Sequence, residues 1–307
     1  MLIKPDSILK LQQLMVDADK IDQVDLSNIN QLVEHVPEDM TATVQTGMLV
    51  EDFQKKLLRG SQWLPIDPPN PKEITIGDLL SANLSGARRF GYGSIRDWVL
   101  GMVVVLPDGK LVRNGGKVVK NVAGFDLCRL LIGAQNTLGI IVEVTFKLLP
   151  RPEMEVNLFK QFQELSQAEE NLEKIWHSDL QPVVLDLYRI KSQETTMVVS
   201  FAGPIADVET QAAELISMGF KSGISLGYDA AFRSKSCYSQ SVLPSKLMSS
   251  LSGLGDMDFV ARAGNGVYYV RENLFKNRAE ISSVFGLEQR LKMEFDPLNK
   301  LPKLQLK

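Results

Sequence analysis

The chain has 307 residues, 34 Lys+Arg against 37 Asp+Glu, a formal net charge of −3 and 44% hydrophobic residues. This is the composition of a folded protein with room for about two domains, and it offers no overall basic field for nucleic acid. Its two cysteines, Cys128 and Cys237, sit in dissimilar surroundings and make neither a zinc pattern nor a disulfide framework, which fits a reducing, cytoplasmic compartment.

The N-terminal MLIKPDSILKLQQLM is interrupted by Asp6 and followed by no small-residue cleavage site, so no signal peptide is expected. No apolar run reaches the roughly 18 to 20 residues of a membrane helix. Asp6-Ser7 offers an N-cap ahead of Ile8, Leu9, Leu11, Leu14 and Met15, whose spacing predicts a helix ending near Asp19. Val24 with Leu26, Ile29 with Leu32 and Val33, and Thr43 with Val44 predict short strands in a meander that turns at Pro37-Glu38-Asp39. Leu49, Phe53 and Leu57 predict a helix closing on Gly60. Pro65, Pro68, Pro69 and Pro71 then impose an extended connection.

Residues 75–152 hold two glycine-rich loops, 77–93 and 133–139, each leading into aliphatic residues. In the first, Gly77, Gly86, Gly91 and Gly93 permit close backbone approach, and Ser81, Asn83 and Ser85 supply short polar side chains. Successive N–H groups in such loops form anion-binding concavities, to which Arg88 and Arg89 would add positive charge. Tight turns between strands and solvated arginines account for the same residues equally well. Val103 to Leu106 and the Asp108-Gly109 turn predict a hairpin. Ile140, Val142, Val144, Phe146 and Leu148 alternate with Glu143, Thr145 and Lys147, predicting a half-exposed strand ended by Pro150 and Pro152. The expected domains are therefore 1–152 and 153–307.

In the second half, QELSQAEENLEKIW and DVETQAAELISMGF predict helices, the latter capped by Gly219, and PVVLDLYRI and TTMVVSFAG predict strands. The order suggests half of a small split α/β layer, followed by an irregular SGISLGYDAAFRSKSCYSQS and a tail of helix or strand broken at Pro297. ARAGNGVYYVRE reads either as a hairpin turning at Asn265-Gly266 or as a loop near a site walled by Arg262, Tyr268 and Tyr269. His35 and His177 have no neighbouring ligand set for a metal, and neither cysteine has an activating base. No catalytic residue and no metal site is assigned.

The strings TIGDLLSANLSGARRFGYGSIRDWVLG, GGKVVKNVAGFDLCRLLIGAQNTLGIIVEVTFKLLPRP and LKMEFDP resemble the FAD-binding oxidoreductases of the vanillyl-alcohol oxidase (PCMH-type) superfamily, and within it the E subunit family of bacterial glycolate oxidases. The resemblance implies an α+β chain: a two-lobed PCMH-type FAD-binding domain followed by a smaller α/β cap domain. It also implies FAD as cofactor, with Gly77, Ser81, Asn83, Ser85, Gly86, Arg88, Gly93, Gly139 and Ile140 as cofactor-binding candidates. Lys120 and Asn121, in the subfamily's GGKVVKNVAGFD string with Lys117 and with Asp126 as a structural hydrogen-bonding residue, are candidates to face a substrate carboxylate or a partner subunit, or else form a surface turn.

Two departures stand out. The family usually has two glycines where this chain has Gly77-Asp78, and a carboxylate there would repel a phosphate. Where the family places a strand and a glycine-rich pyrophosphate loop after the first helix, MVDADK runs straight into IDQVDLS, so the first lobe is truncated. Three accounts are compatible with this: a subunit without flavin, a loop supplied by a partner chain, or an altered site that still binds FAD. The implied function is oxidation of a small 2-hydroxy acid, glycolate to glyoxylate, in a complex with other FAD-binding (D-type) and iron–sulfur (F-type) subunits. The alternative is a non-catalytic assembly subunit. The implied location is cytoplasmic, with any membrane association peripheral and through partners.

Overall fold

The computed structural model describes residues 1–116, 126–191, 194–272 and 282–303. They form two compact units: one from residues 1–84, 94–151 and 282–303, the other from 85–93 and 152–272. Two stretches thus stand across the division drawn at residue 152 from sequence. Residues 85–93 join the second unit, and 282–303 return to the first.

The first unit opens with β1 (Leu2–Ile3), α1 (Ile8–Asp17) and β2 (Gln23–Val24), the two strands pairing in parallel. Ser7 caps α1 by accepting from the Lys10 N–H at 3.2 Å. The helix then stops at Asp17, because Ala18 is already extended. Ile29 does not open a strand. It closes a turn, with its N–H donating to the Leu26 carbonyl at 2.7 Å. The next elements are β3 (Leu32–Val36), β4 (Thr41–Gln45), α2 (Val50–Leu57), β5 (Gln62–Trp63) and α3 (Ile76–Ser81). After α4 (Arg89–Tyr92), which belongs to the second unit, come β6 (Val99–Val105), β7 (Leu111–Gly115), α5 (Leu127–Leu131), β8 (Ile140–Lys147) and β9 (Leu149–Pro150).

Strands β3-β4-β8-β6-β7, in that spatial order, make an antiparallel sheet. Along β8, Ile140, Val142, Val144 and Phe146 are buried, while Glu143, Thr145 and Lys147 are half-buried, which is the alternation of a strand with one covered face. Leu11, Met15 and Ala18 of the α1 region pack with Val103, Val105, Ile140 and Val142 in one cluster. Phe53 of α2 meets Phe146 with ring centroids 5.7 Å apart. Complete burial of such a side chain contributes about 1.5–3 kcal/mol.

The second unit contains β10 (Met154–Phe162), α6 (Leu165–Trp176), β11 (Val184–Arg189), β12 (Thr195–Gly203), α7 (Ile205–Ser217), β13 (Lys221–Ser222), α8 (Gly227–Arg233), β14 (Tyr238–Ser241), α9 (Leu247–Ser252), β15 (Phe259–Arg262) and β16 (Val267–Val270). Its strands form one antiparallel sheet in the order β13-β10-β12-β11-β15-β16-β14, wider than the half-layer expected. The stretch read as irregular supplies α8 and β14. Tyr228 and Phe232, one helical turn apart on α8, are buried with Val184, Val198 and Val260, so tertiary packing overrides a locally polar sequence. The Asn265-Gly266 hairpin is present, with Gly266 left-handed at φ 66°. Finally α10 (Ser282–Phe295) returns to the first unit and ends before Pro297.

Candidate functional site

In the first unit, the first glycine loop begins as a helix. Thr75 and Asp78 form a reciprocal capping box: the Asp78 carboxylate accepts from the Thr75 N–H at 2.9 Å, and Thr75 Oγ1 accepts from the Asp78 N–H at 3.0 Å. The Ile76 N–H donates to the Met48 carbonyl at 2.8 Å and the Gly77 N–H to that of Thr46 at 2.7 Å. A Cβ at Gly77 would lie 3.2 Å from the Thr46 oxygen. Gly77 therefore allows a close strand approach, and the donors of the first turn of α3 are all used inside the protein. Asp78, which the sequence sets against a phosphate, is a helix cap.

The far end of α3 meets the second glycine loop. The Gly133 N–H donates to the Leu80 carbonyl and the Gln135 N–H to the Ser81 carbonyl, each at 2.9 Å. Gly133, Gln135 and Asn136 are left-handed, with φ of 89°, 52° and 58°. Ser81 Oγ donates back to the Asp78 carbonyl at 3.3 Å. Asn83 is also left-handed, at φ 48°, and its Oδ1 is buried without a hydrogen-bond partner. An orphaned buried acceptor is costly unless a ligand or water completes it. Gly139 has Val104 Cγ1 2.8 Å from where a Cβ would sit, and Ile140, 1% exposed, pairs with Val105. Those two residues are strand packing. Beside Gly133 opens a cleft of about 500 Å³ with apolar walls, among them Ile132, Leu138 and Leu291, and with Arg96 and Lys303 also lining it. A cleft of this size is in the range that small-molecule ligands occupy.

The other candidates belong to the second unit. Ser85 is buried, and Gly86 precedes an Arg88 whose guanidinium is paired with the Glu155 carboxylate at 2.5 Å. Gly93 ends α4 at φ 77°, and the Gly91 N–H donates to the Val183 carbonyl at 3.1 Å. What the sequence presents as one loop thus passes from the first unit to the second between Leu84 and Ser85. Lys117, Lys120 and Asn121 lie outside the described residues; Asp126 caps α5 by accepting from the Arg129 N–H at 3.1 Å.

The second unit also holds a buried ionic cluster that sequence reasoning only touched, through Arg262. Arg262, 2% exposed, pairs with both Asp186 and Asp229, and Tyr228 donates to Asp186 at 2.6 Å. Burial pushes the Asp186 carboxyl up to about 7, against the pull of Arg262 and of the Tyr228 hydroxyl. The one available signal was an aspartate inside the apolar run PVVLDLYRI.

Elsewhere His35 Nε2 meets Gln62 Oε1 at 2.9 Å, and His177 Nδ1 lies 2.8 Å from the Glu173 carbonyl. Cys128 is buried 3.3 Å from Asn114 Oδ1, its thiol pushed up to about 11 by burial and by Asp126. Among the described residues no group of three or more His, Cys, Asp or Glu is placed to hold a metal, and no helix is long and apolar enough to cross a membrane.

Residues 15–115 match the family model of the FAD binding domain. Over 172 residues the chain is 36% identical to the glycolate oxidase subunit GlcD of Bacillus subtilis strain 168, covering 56% of this chain and 36% of that one. It is 35% identical over 153 residues to the glycolate oxidase subunit GlcE of Escherichia coli K12, covering 50% and 43%. A D-lactate dehydrogenase of Anaerostipes hadrus is 31% identical over 163 residues, covering 53% and 34%. The match thus spans less than half the length of these curated relatives. In fold, the chain is similar to a solved alkyldihydroxyacetonephosphate synthase, with a TM-score of 0.75 at 16% identity over 97% of this chain and 76% of that one.

Proposed function

We propose, from the match of residues 15–115 to the family model of the FAD binding domain, that the chain is a flavin-binding subunit of an oxidoreductase that oxidises a small 2-hydroxy acid, glycolate being the first substrate to test, in a complex with further flavin and iron–sulfur subunits. When bound, FAD supplies the acceptor for the hydride equivalent leaving the hydroxyl-bearing carbon. The observation that carries the reading is Asn83: a buried, unpartnered acceptor on a left-handed turn, in the segment that resembles the family's cofactor loop. An acceptor suits a donor group, such as a ribityl hydroxyl or a ring N–H. The first turn of α3 does not fit the pyrophosphate, because its donors are taken by Thr46, Met48 and Thr75. In this reading Asn83, Ser81 and the loop from Gly133 hold the neutral part of the cofactor, while Ser85, Gly86, Arg88 and Gly93 are cofactor candidates by the family resemblance alone.

The same α3 geometry favours a second reading, an assembly subunit that keeps the fold without cofactor. Absorption spectra of the protein purified alone and with co-expressed partners separate the two. Flavin bands in either preparation support the first. Colourless protein in both, with no FAD taken up on titration, overturns it.

A further inference from the structure

Residues 85–93, glycine-rich and basic, are gripped within the second unit at four points. Arg88 pairs with Glu155, and the Gly91 N–H donates to Val183. The Phe90 ring fills the space where a Cβ at Gly264 would be, with its Cδ2 2.1 Å from that position, and meets Trp176 edge-on at 5.8 Å. The fourth contact is Arg233 Nη1, which donates to the Ser85 carbonyl at 2.5 Å.

The fourth differs from the others in what stands behind it. The Arg233 side chain, 10% exposed, lies 3.5 Å from Asp229 Oδ2 with its guanidinium 4.6 Å from the centre of the Tyr269 ring. Asp229 pairs with Arg262, Arg262 with Asp186, and Asp186 accepts from Tyr228, which stacks on Tyr188 at 4.5 Å. A line of buried charges therefore runs from the centre of the sheet to the first residue of the segment. Two arginines and two aspartates are costly to desolvate, and an apolar cluster of equal volume would be as stable or more so. What the ionic arrangement adds is direction: the rigid guanidinium of Arg262 forks between Asp186 and Asp229, and the Arg233 Nη1 that approaches Asp229 is the same nitrogen that donates to Ser85.

We propose that Arg233 is a positioning residue: the buried Asp186–Arg262–Asp229 line aims its guanidinium at the Ser85 carbonyl and so fixes the register of residues 85–93. Its consequence for cofactor binding rests on the reading above, in which the family resemblance makes residues of this segment cofactor candidates.

Amide hydrogen exchange of the full-length chain tests it. The Arg89, Gly91, Tyr92 and Gly93 amides, all hydrogen-bonded here, report the segment, and strands β11 and β12 serve as internal reference. In Arg233→Met these four amides exchange about tenfold faster or more, the scale of one charge-assisted hydrogen bond, while the reference strands keep wild-type rates. Wild-type rates at all four overturn the proposal. Should Arg233→Met unprotect the reference strands as well, Arg233→Lys carries the test: it keeps the charge but loses the planar guanidinium that lies over Tyr269 and holds Nη1 between Asp229 and the Ser85 carbonyl. The same local acceleration is expected, and unchanged rates overturn the proposal. FAD titration of the same variants, followed by flavin fluorescence, separates the two claims. Faster exchange with weakened FAD binding supports both. Faster exchange with unchanged FAD binding leaves the positioning role standing and removes this segment from the cofactor site.

Discussion

The ammonium of Lys300 lies 2.9 Å from the carbonyl oxygen of Met15 and 2.8 Å from that of Val16, so a residue near the end of the chain satisfies the last turn of its first helix. Lys300 is itself held by Asp296, whose carboxylate accepts from the Lys300 N–H at 2.9 Å, the Leu301 N–H at 2.8 Å and Lys292 Nζ at 2.6 Å. The Phe-Asp-Pro motif therefore anchors the C-terminal return to the first unit. Both side chains are at least nine-tenths buried, so Lys300→Met should destabilise the first unit by about 1.5–3 kcal/mol. Asp296→Ala, which orphans the Lys300 and Leu301 N–H groups and takes the carboxylate partner from Lys292, should cost more than Lys300→Met. Urea denaturation followed by circular dichroism measures both, and equal midpoints for wild type and Asp296→Ala would refute the anchor.

That contact also marks what a sequence can disclose. The α1 helix was readable because Ser7 and the Leu11–Met15 spacing are local signals, and β8 because its alternation is. Lys300 meeting Met15 is not readable, since nothing near either residue encodes a partner 285 residues away. The candidate site divided in the same way. Asn83 and the left-handed run at Gly133 were marked by residue type, but the first turn of α3 hid behind Gly77, because a glycine admitting a strand carbonyl looks the same as one admitting a phosphate. The capping box is local in sequence, Thr75 with Asp78 three residues on, and it accounts for the carboxylate that charge repulsion alone would set against a phosphate.

Asp186 gives a pH dependence with a defined sign. Burial raises its folded carboxyl from the ordinary aspartate range to about 7, so between roughly pH 4 and 7 the folded chain retains a proton that the unfolded chain has released. Stability from this group is complete below that window and is lost as pH rises through it. Asp186→Asn should flatten the dependence by up to about one proton. Urea midpoints at several pH values measure this; parallel wild-type and Asp186→Asn profiles would show that Asp186 stays ionised throughout.

Gly264→Ala sets a methyl against Phe90, since the added Cβ would lie 2.1 Å from Phe90 Cδ2 and 2.3 Å from Cε2. The ring has to leave both Gly264 and Trp176, and overpacking of this kind costs about 1–3 kcal/mol. The expected result is a lower urea midpoint for the second unit together with faster amide exchange at residues 89–93. A midpoint within about 0.5 kcal/mol of wild type, the range of surface changes, would mean that Phe90 is not a fixed contact.

Asn83→Gly isolates the orphaned acceptor from the backbone that carries it. At φ 48° glycine is at least as comfortable as asparagine, so stability should stay within about 0.5 kcal/mol of wild type or rise slightly as an unsatisfied buried oxygen is removed. If Asn83 Oδ1 receives a donor from the cofactor, the same change should weaken FAD binding by about tenfold, the scale of one hydrogen bond in a closed site. Asn83→Asp keeps an acceptor at that position and should retain more affinity than Asn83→Gly. Fluorescence titration with FAD, run on protein whose urea midpoint matches wild type, reads the two variants side by side. Undiminished affinity in Asn83→Gly would take Asn83 out of the site and leave its buried oxygen to an ordered water.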